Sequence, residues 1–367
     1  MTKFVSKMQE PFKAENIEAA FECIDKTAFI DELVDSVSRL KVYSAVLQRS
    51  IARESCMTSM YIKESMHSSR MEGTRTSLES SLEKVALEDD SDKETNEVRN
   101  YSAATRYGRD YLMRSGTFTE EMLLEMHRIL LEGNIHRTTE QIGCYRTEQN
   151  FIQNEKSKEI TFVPPEAKYV KPLMDNLISF MNKPESGERN LVNAAVIHEQ
   201  FETIHPFADG NGRLGRMLIP LFLFKEREIE MPWLFLSEAI EKEKFRYYKM
   251  LNDVRTNNAW NEWIKFFLGI VDRQCLKYEG NVRKIEELYV TSLKKLSDIS
   301  SSRLLKQVFS CFFKSPIQNS RSIERETGLS NTTVNRMLDK LIENNMVFAD
   351  DKKRGNVYYF YDLMELL

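Results

Sequence analysis

The stretch that decides the fold is IHPFADGNGRLGRMLIP, residues 204–220. It gathers three glycines within six positions, although the whole chain of 367 residues has only 13. Glycine lets the backbone approach a ligand closely, and the amides at a helix N-terminus attract anions. If a helix begins near Asn211 or Gly212, the stretch predicts an anion site at the start of that helix.

The charged side chains of this stretch suit a nucleotide. Arg213 and Arg216 lie three apart, hence on one face of a helix, and guanidinium groups match phosphate oxygens. Asp209 offers a hard oxygen ligand for Mg²⁺ that carries phosphates. His205 offers an imidazole, whose unperturbed pKa of about 6.5 suits a general base. Together they predict metal-assisted transfer from a nucleotide phosphate to an acceptor that gives its proton to the histidine.

Each feature also has a purely structural interpretation. A histidine before proline is most often structural, Gly-Asn-Gly is most often a turn, and two arginines three apart usually form a solvated helix face. The glycines lack the lysine of a P-loop, so that class of nucleotide site is excluded. The joint arrangement favours the functional interpretation, because no structural need requires all of these residues together.

The stretch resembles the Fic family signature HxFx(D/E)GNGRxxR. It agrees at every fixed position: His205, Phe207, Asp209, Gly210, Asn211, Gly212, Arg213 and Arg216. Three further segments look like the core of that family, namely GCYRTEQNFI (143–152), TFVPP (161–165) and IHEQFETIHPF (197–207). The resemblance covers residues 95–270, and more loosely residues 20–300.

The resemblance implies a mainly α-helical Fic fold with a β-hairpin flap, and an activity called adenylylation. AMP passes from ATP to a Ser, Thr or Tyr hydroxyl of a protein. In this chain His205 would deprotonate the hydroxyl and Asp209 would bind Mg²⁺. The resemblance implies that the phosphates of ATP are bound by Gly210, Asn211, Gly212 and Arg213, and that the γ-phosphate is bound by Arg216. The residues implied for docking the target by strand addition are Ile160, Thr161 and Phe162.

A second motif lies upstream, in SSRMEG (68–73). It resembles the inhibitory (S/T)xxxE(G/N) motif of Fic proteins, with Ser68, Glu72 and Gly73 at its defined positions. Ser68 and Glu72 would share one face of a helix. The resemblance implies that Glu72 pairs with Arg216 and blocks the seat of the γ-phosphate. The alternative is a solvated glutamate near a Gly-capped helix end.

The C-terminal residues predict a winged helix-turn-helix domain. A short helix, a turn at residues 328–330, a helix from Asn331 and a hairpin of residues 347–349 and 357–361 follow in the expected order. The candidate DNA contacts are Thr332, Thr333, Asn335 and Arg336. Because residues 297–367 hold ten Lys/Arg and nine Asp/Glu, contacts with protein remain the alternative.

The composition describes an ordinary soluble protein. The net charge is −4, so any nucleic-acid contact has to be local. Five scattered cysteines indicate reduced thiols, and no apolar run is long enough for a bilayer, so we expect a cytoplasmic protein without membrane contacts. The predicted domains are an N-terminal helical region (1–95), a Fic core (96–296) and a winged helix (297–367).

Several alternatives remain open at the level of sequence. The chain could transfer another nucleotide, or remove AMP from a modified protein. From another class, it could be a DNA-binding regulator whose Fic domain senses a nucleotide. The target protein is also open, and the resemblance allows both self-modification and a homodimer.

Overall fold

The computed structural model of the chain describes residues 10–50, 53–74, 77–87, 93–133, 141–153, 159–183, 189–350 and 356–367. The described residues are mainly α-helical, in agreement with the predicted fold class. Within these ranges, no helix combines the length and the apolar character that crossing a bilayer requires.

The helices are α1 (Ile30–Arg49), α2 (Arg53–Met71), α3 (Leu78–Leu87), α4 (Lys93–Ser115), α5 (Glu120–Leu130), α6 (Ala167–Met181), α7 (Asn190–Ile204), α8 (Asn211–Lys225), α9 (Ser237–Lys242), α10 (Lys244–Asn257), α11 (Trp260–Ile299), α12 (Arg303–Lys314), α13 (Ser320–Thr327), α14 (Asn331–Glu343) and α15 (Tyr361–Met364). The strands are β1 (Ile152–Gln153), β2 (Ile160–Phe162), β3 (Ile317–Asn319), β4 (Phe348–Ala349) and β5 (Val357–Tyr359). Two short 3₁₀ helices, Ile17–Glu22 and Lys26–Phe29, precede α1.

The chain forms two compact units that interleave along the sequence. The first comprises Met1–Val37, Ala103–Pro232 and Glu243–Ile270, and the second comprises Ser38–Ser102, Trp233–Lys242 and Val271–Leu367. Helix α11 continues to Ile299, past the expected boundary at residue 296. The division into three domains stays a prediction.

The core of the first unit is the packing of α7 against α8. Every residue of α7 is buried, so this helix has no solvated face. A Cβ atom on Gly215 of α8 would lie 2.6 Å from Oε1 of Glu202 and 3.1 Å from Cδ1 of Phe201, both on α7. Glycine at position 215 therefore permits the two helices to approach each other closely.

Strands β1 and β2 of the first unit form a short antiparallel hairpin. Ile152 pairs with Phe162 and Gln153 with Ile160, with a register shift between them. Pro164 and Pro165 follow β2, and proline has no N–H to extend the ladder. The chain's N-terminal part runs beside the end of β2, because the backbone N–H of Phe12 donates to the carbonyl of Val163 at 2.9 Å. The use of this hairpin as a target-docking flap stays a prediction.

The second unit has its own apolar core beneath a three-stranded antiparallel sheet of order β3-β5-β4. Its core cluster joins α2, α3 and α4 to the sheet through Ile62, Leu82, Ala86, Val98, Ile317, Val357 and Tyr359. Helix α13 starts with a capping box between Asn319 and Ser322, and it ends at Gly328, which has a φ of 69°. Helix α14 begins at Asn331, as the sequence predicts. The classification of this part as a winged helix stays a prediction.

Helix α2 is anchored on α9 by buried polar groups. The carboxylate of Glu64 accepts hydrogen bonds from the backbone N–H of Ser237 at 3.1 Å and from its hydroxyl at 2.5 Å. Next to it, Nζ of Lys63 lies 3.1 Å from Glu238, and both side chains are less than 10% exposed. Burial lowers the pKa of Lys63, and the Glu238 carboxylate opposes that shift. Since a buried charge is costly without its partner, these contacts hold α2 in one position.

The close approach of α7 and α8 predicts different outcomes for one substitution at two helical glycines. Gly215→Leu should lower the free energy of unfolding by about 1–3 kcal/mol or more, because the added atoms overlap α7. Gly280 of α11 has open space around its Cβ position, and Gly280→Leu should instead stabilise by a few tenths to about 1 kcal/mol. Urea denaturation of both variants measures the difference. Equal effects at the two positions would contradict the packing constraint.

Candidate active site

His205 ends α7 and turns the chain sharply. Its φ and ψ of 49° and 60° lie in the left-handed region, which is uncommon for a residue with a Cβ. Its backbone N–H donates to the carbonyl of Phe201 at 3.0 Å. The ring atom Nδ1 lies 3.3 Å from the carbonyl oxygen of Glu202. Since a carbonyl only accepts, this contact places the proton on Nδ1 and the basic lone pair on Nε2.

Asn211 holds the backbone of the loop with both ends of its carboxamide. Its Oδ1 accepts the backbone N–H of Phe207 at 2.9 Å, and its Nδ2 donates to the carbonyl of Phe207 at 2.8 Å. Asn150 adds a second donor to the same carbonyl, at 3.2 Å. The ring of Phe207 is fully buried. The carboxamide of Asn211 thus shapes the loop, and the part of this residue in cradling phosphate stays a prediction.

The loop ends at Gly210, where α8 begins. The φ of Gly210 is 80°, a conformation that favours glycine. Asp209 lies one residue earlier, and its Oδ1 accepts the N–H of Gly210 at 2.7 Å. The same oxygen is 3.4 Å from Nη2 of Arg213. The side chain of Asp209 is 37% exposed, so its carboxylate reaches solvent beside the helix N-terminus.

The two arginines of α8 are buried. Arg213 is 5% exposed and Arg216 is 3% exposed. This burial excludes the alternative that they form a solvated helix face. Guanidinium groups in the first turns of a helix add their charge to that of the N-terminal amides, and such an arrangement binds anions.

His127 of α5 supports the loop from behind. Gly143 donates its backbone N–H to Nδ1 of His127 at 2.9 Å, and Nε2 lies 3.0 Å from the carbonyl oxygen of Asp209. The imidazole also stacks on the ring of Phe207, with the two centroids 3.9 Å apart. One nitrogen must accept and the other donate, so the ring is neutral. Burial lowers the pKa of His127 to about 4, which agrees with this assignment.

Arg146 ties the start of the loop to both arms of the hairpin. Its Nε donates to the carbonyl of His205 at 2.9 Å, and its backbone N–H donates to the carbonyl of Pro206 at 2.9 Å. The Nη atoms reach the carbonyls of Ile204, Glu148 and Pro165. Each of these acceptors is a neutral carbonyl oxygen. Burial lowers the pKa of Arg146 to about 10.

Arg146 and His127 were not among the predicted site residues, although the sequence carries weak signals for both. Arg146 stands within GCYRTEQNFI, one of the segments that look like the Fic core. His127 falls on the apolar face of α5 with Met122, Leu123 and Leu130, where a polar residue needs a partner. The partners themselves come from distant parts of the chain, so periodicity alone does not identify them.

Glu72 lies in a turn, not in a helix. Helix α2 ends at Met71, and the N–H of Glu72 bonds to the carbonyl of Ser69 at 2.9 Å. Gly73, with a φ of 100°, completes the turn. Ser68 is fully buried whereas Glu72 is exposed, and the inhibitory role of the two residues stays a prediction.

The predicted docking residues alternate along β2. Ile160 is half-buried, Thr161 is exposed and Phe162 is buried. Such alternation is normal for a strand with one face on the core. The hydroxyl of Thr161 bonds to the carbonyl of Ile152 at 3.1 Å.

The predicted DNA contacts lie at the start of α14 in the second unit. Thr332 and Arg336 are exposed, and Thr333 and Asn335 are half-buried. The carboxamide of Asn335 bonds to that of Asn331 at 2.9 Å. The structure brings these residues together on one helix, and their binding role stays a prediction.

The comparisons with known proteins match this helical chain to one family. Residues 117–223 match the Fic/DOC family and residues 30–110 match the Fic/DOC family N-terminal region. The chain therefore belongs to the Fic/DOC family.

Two relatives carry the name "Protein adenylyltransferase Fic". That of Drosophila grimshawi is 27% identical over 61% of this chain and 44% of the relative. That of Culex quinquefasciatus is 31% identical over 63% of this chain and 44% of the relative. This chain thus matches less than half the length of these relatives. A solved Fic family protein from Desulfovibrio desulfuricans shares the fold, with a TM-score of 0.55, 20% identity and coverage of 96% of this chain and 98% of that one.

The neutral state of His127 predicts a pH dependence of stability. Its pKa is about 4 in the fold, whereas an unfolded histidine titrates near pH 6.5. The unfolded chain therefore binds more protons in that window, and stability falls as the pH drops from about 6.5 towards 4. Glutamine does not titrate. Between about pH 7.5 and about pH 5, the free energy of unfolding of His127→Gln should therefore fall by about 2 kcal/mol less than that of the wild type.

Chemical denaturation at several pH values measures this difference. His198→Gln is the matched comparison, because burial also lowers the pKa of His198, to about 3, at a position away from the loop. Both variants should flatten the profile, but only His127→Gln should alter the loop. An unchanged profile in His127→Gln would contradict the neutral ring.

Proposed function

We propose that this protein is an adenylyltransferase that transfers AMP from ATP to a hydroxyl side chain of a protein. The observation that carries the proposal is one loop of six residues, 205–210, between α7 and α8. It begins at an imidazole whose Nε2 carries the basic lone pair, and it ends at a helix N-terminus with two buried arginines. The name of the relatives supports the same activity.

In this proposal the start of α8 binds the triphosphate. The backbone amides of Gly210, Asn211 and Gly212 face the phosphate oxygens, as at other helix N-termini. Arg213 holds the region of the α- and β-phosphates. Arg216, one turn further along the same helix, holds the γ-phosphate. Burial of both guanidiniums strengthens their attraction for an anion, because the local dielectric is low.

Mg²⁺ is the proposed metal, and Asp209 is the residue that would hold it. Among the described residues no group of three potential ligand side chains lies close enough to form a protein-only metal site. A lone, partly exposed carboxylate instead fits Mg²⁺ that is shared with substrate phosphates and water. When bound, the ion would neutralise negative charge on the phosphates.

The chemistry assigned to the chain's own residues is a displacement at the α-phosphorus. The hydroxyl oxygen of the target forms a bond to that phosphorus, the bond to the β-phosphate oxygen breaks, and pyrophosphate leaves. The hydroxyl proton passes to Nε2 of His205. Most of the rate enhancement comes from positioning and from charge stabilisation by Arg213 and Arg216.

The target would lie along the β1–β2 hairpin. Residues 160–162 would add a strand of the target by backbone hydrogen bonds, which requires no particular sequence in the target. The target can be another protein or this chain itself.

We also propose that Glu72 inhibits the transfer by pairing with Arg216. A carboxylate and a guanidinium form a geometrically specific pair, and the paired arginine cannot hold a γ-phosphate. The motif at residues 68–73 supports this proposal. Anchoring of α2 on α9 keeps that turn in a defined place within its unit.

Intact-protein mass spectrometry after incubation with ATP and Mg²⁺ tests the proposal. Glu72→Gly and Glu72→Gln should gain the mass of AMP, because both remove the carboxylate. The wild type should gain little AMP because it keeps the inhibitory Glu72. Glu72→Gly/His205→Ala should also gain little AMP because it lacks the proposed base. Glu79→Gly is the matched control, because Glu79 is also exposed and lies in the same unit.

The outcomes separate the parts of the proposal. An equal gain of AMP in the wild type and in Glu72→Gly would refute inhibition by Glu72 and would still support the adenylyltransferase activity. Gain in Glu72→Gly/His205→Ala would refute His205 as the base. A gain with another nucleoside triphosphate only would change the donor, and loss of AMP from a modified protein would indicate the reverse reaction.

A second candidate function is DNA binding through the predicted winged helix of residues 297–367. The exposed Thr332 and Arg336 at the start of α14 support it, since this is where a recognition helix meets base edges. Arg336→Ala should then weaken binding of duplex DNA about tenfold or more, and binding should fall steeply with salt. Fluorescence anisotropy measures the affinity, and His205→Ala serves as a control that should bind normally. Salt-independent or absent binding would favour a protein partner.

A further inference from the structure

Two buried arginines connect the hairpin to the end of α7. Arg146 is 7% exposed and comes from the segment before the hairpin. The side chain of Arg255, on α10, is also 7% exposed. Both belong to the first compact unit, together with the hairpin and His205.

Arg146 reaches four carbonyl oxygens with one guanidinium. Two of them, on Glu148 and Pro165, stand at the two ends of the hairpin. The other two belong to Ile204 and His205. A planar fork with five N–H donors can span this set, whereas the ammonium of lysine cannot.

Arg255 connects the end of β2 to the last turn of α7. Its guanidinium carbon lies 4.1 Å from the centre of the Phe162 ring. Its Nε donates to the hydroxyl of Thr203 at 2.7 Å and lies 3.4 Å from Oε1 of Glu199. The hydroxyl of Thr203 donates in turn to Oε1 of Glu199 at 2.5 Å. Thr203 lies two residues before His205 in the chain, so these contacts hold the last turn of α7.

The ring of Phe162 matters to Arg255 because the guanidinium has few other partners. Among the described residues, its buried Nη2 has no hydrogen-bond acceptor. A cation over an aromatic face is attracted more strongly when both are removed from water. Moving Phe162 would therefore leave the buried charge of Arg255 less well stabilised. The contacts of Arg255 with Thr203 and Glu199 would then weaken as well.

We propose that Arg146 and Arg255 are positioning residues that hold the hairpin and His205 as one rigid body. A target segment laid along β2 would then present its hydroxyl to Nε2 of His205 at a fixed distance. This inference rests on the proposed function for its consequence, but its mechanical part does not depend on that function. It assigns the alignment of the target to residues outside the loop of residues 205–210.

Hydrogen–deuterium exchange tests the mechanical part. Phe162→Leu removes the ring from the hairpin side, and Arg255→Lys removes the planar fork from the α10 side. Each should speed exchange both at residues 159–165 and at residues 203–207, on the order of tenfold. Arg246→Lys is the matched control: Arg246 lies on the same helix and also faces an aromatic ring, that of Phe266 at 5.1 Å. It should leave both segments unchanged.

The decisive variant is Phe162→Leu, because the change is on the hairpin and the readout is at His205. Faster exchange at residues 159–165 alone would overturn the coupling. At residues 203–207 the double variant Phe162→Leu/Arg255→Lys should exchange no faster than the faster of the two single variants. The reason is that both substitutions remove the same contact between Arg255 and Phe162. Additive effects would place the two residues in separate roles. Arg146→Lys should likewise speed exchange at residues 204–206.

A second measurement tests the consequence for transfer. In a Glu72→Gly background, Arg255→Lys should lower AMP incorporation about tenfold, while calorimetry with a non-hydrolysable ATP analogue and Mg²⁺ shows an affinity within about twofold of the parent. An equal loss of nucleotide affinity would overturn the positioning role. If the Glu72→Gly parent itself incorporates no AMP, the proposed transfer has failed, and the exchange data still decide whether the hairpin and His205 move together.

Discussion

The site depends on how the backbone of Phe207 is held. Between the end of α7 and the start of α8 the chain makes two left-handed turns, at His205 and at Gly210. The backbone between these turns cannot form helical hydrogen bonds, and it is largely buried. Asn211 supplies both missing partners of Phe207 from the first residue of α8. Unsatisfied buried backbone groups are costly. These two hydrogen bonds therefore fix the position of the imidazole of His205 relative to the N-terminus of α8.

Side chains from the surrounding elements bind further backbone carbonyls at the two ends of the loop. His127 holds the carbonyl of Asp209 from α5, and Arg146 holds the carbonyls of Ile204 and His205 from the segment before the hairpin. Both are buried side chains in a single ionisation state, so neither alters its contacts near neutral pH. The groups proposed to act on the nucleotide are therefore preorganised by side chains that do not touch it. Such preorganisation is where an enzyme of this chemistry gains most of its rate.

The second unit is organised around α2. This helix packs on α9 through Glu64 and Lys63, and on the C-terminal segment, where the hydroxyl of Ser59 bonds to the carbonyl of Lys314 at 3.3 Å. The core cluster also joins α2 to β3 and β5. Helix α2, which leads into the motif of residues 68–73, therefore shares one hydrophobic core with strands of the predicted winged helix.

The sequence by itself determined the family signature and most of the helices. The fixed positions from His205 to Arg216, the start of α8 at Asn211, the cap of α5 at Thr119 and the start of α14 at Asn331 all follow from local patterns. These features depend on neighbours within a few residues, which periodicity and capping rules describe well. Tertiary structure alone decided the rest: the burial of Arg213 and Arg216, the neutral state of His127, the turn that carries Glu72, and the bonds of Arg146 and Arg255. Each of these depends on partners contributed from elsewhere in the fold or on the exact end of a helix, and packing sets both.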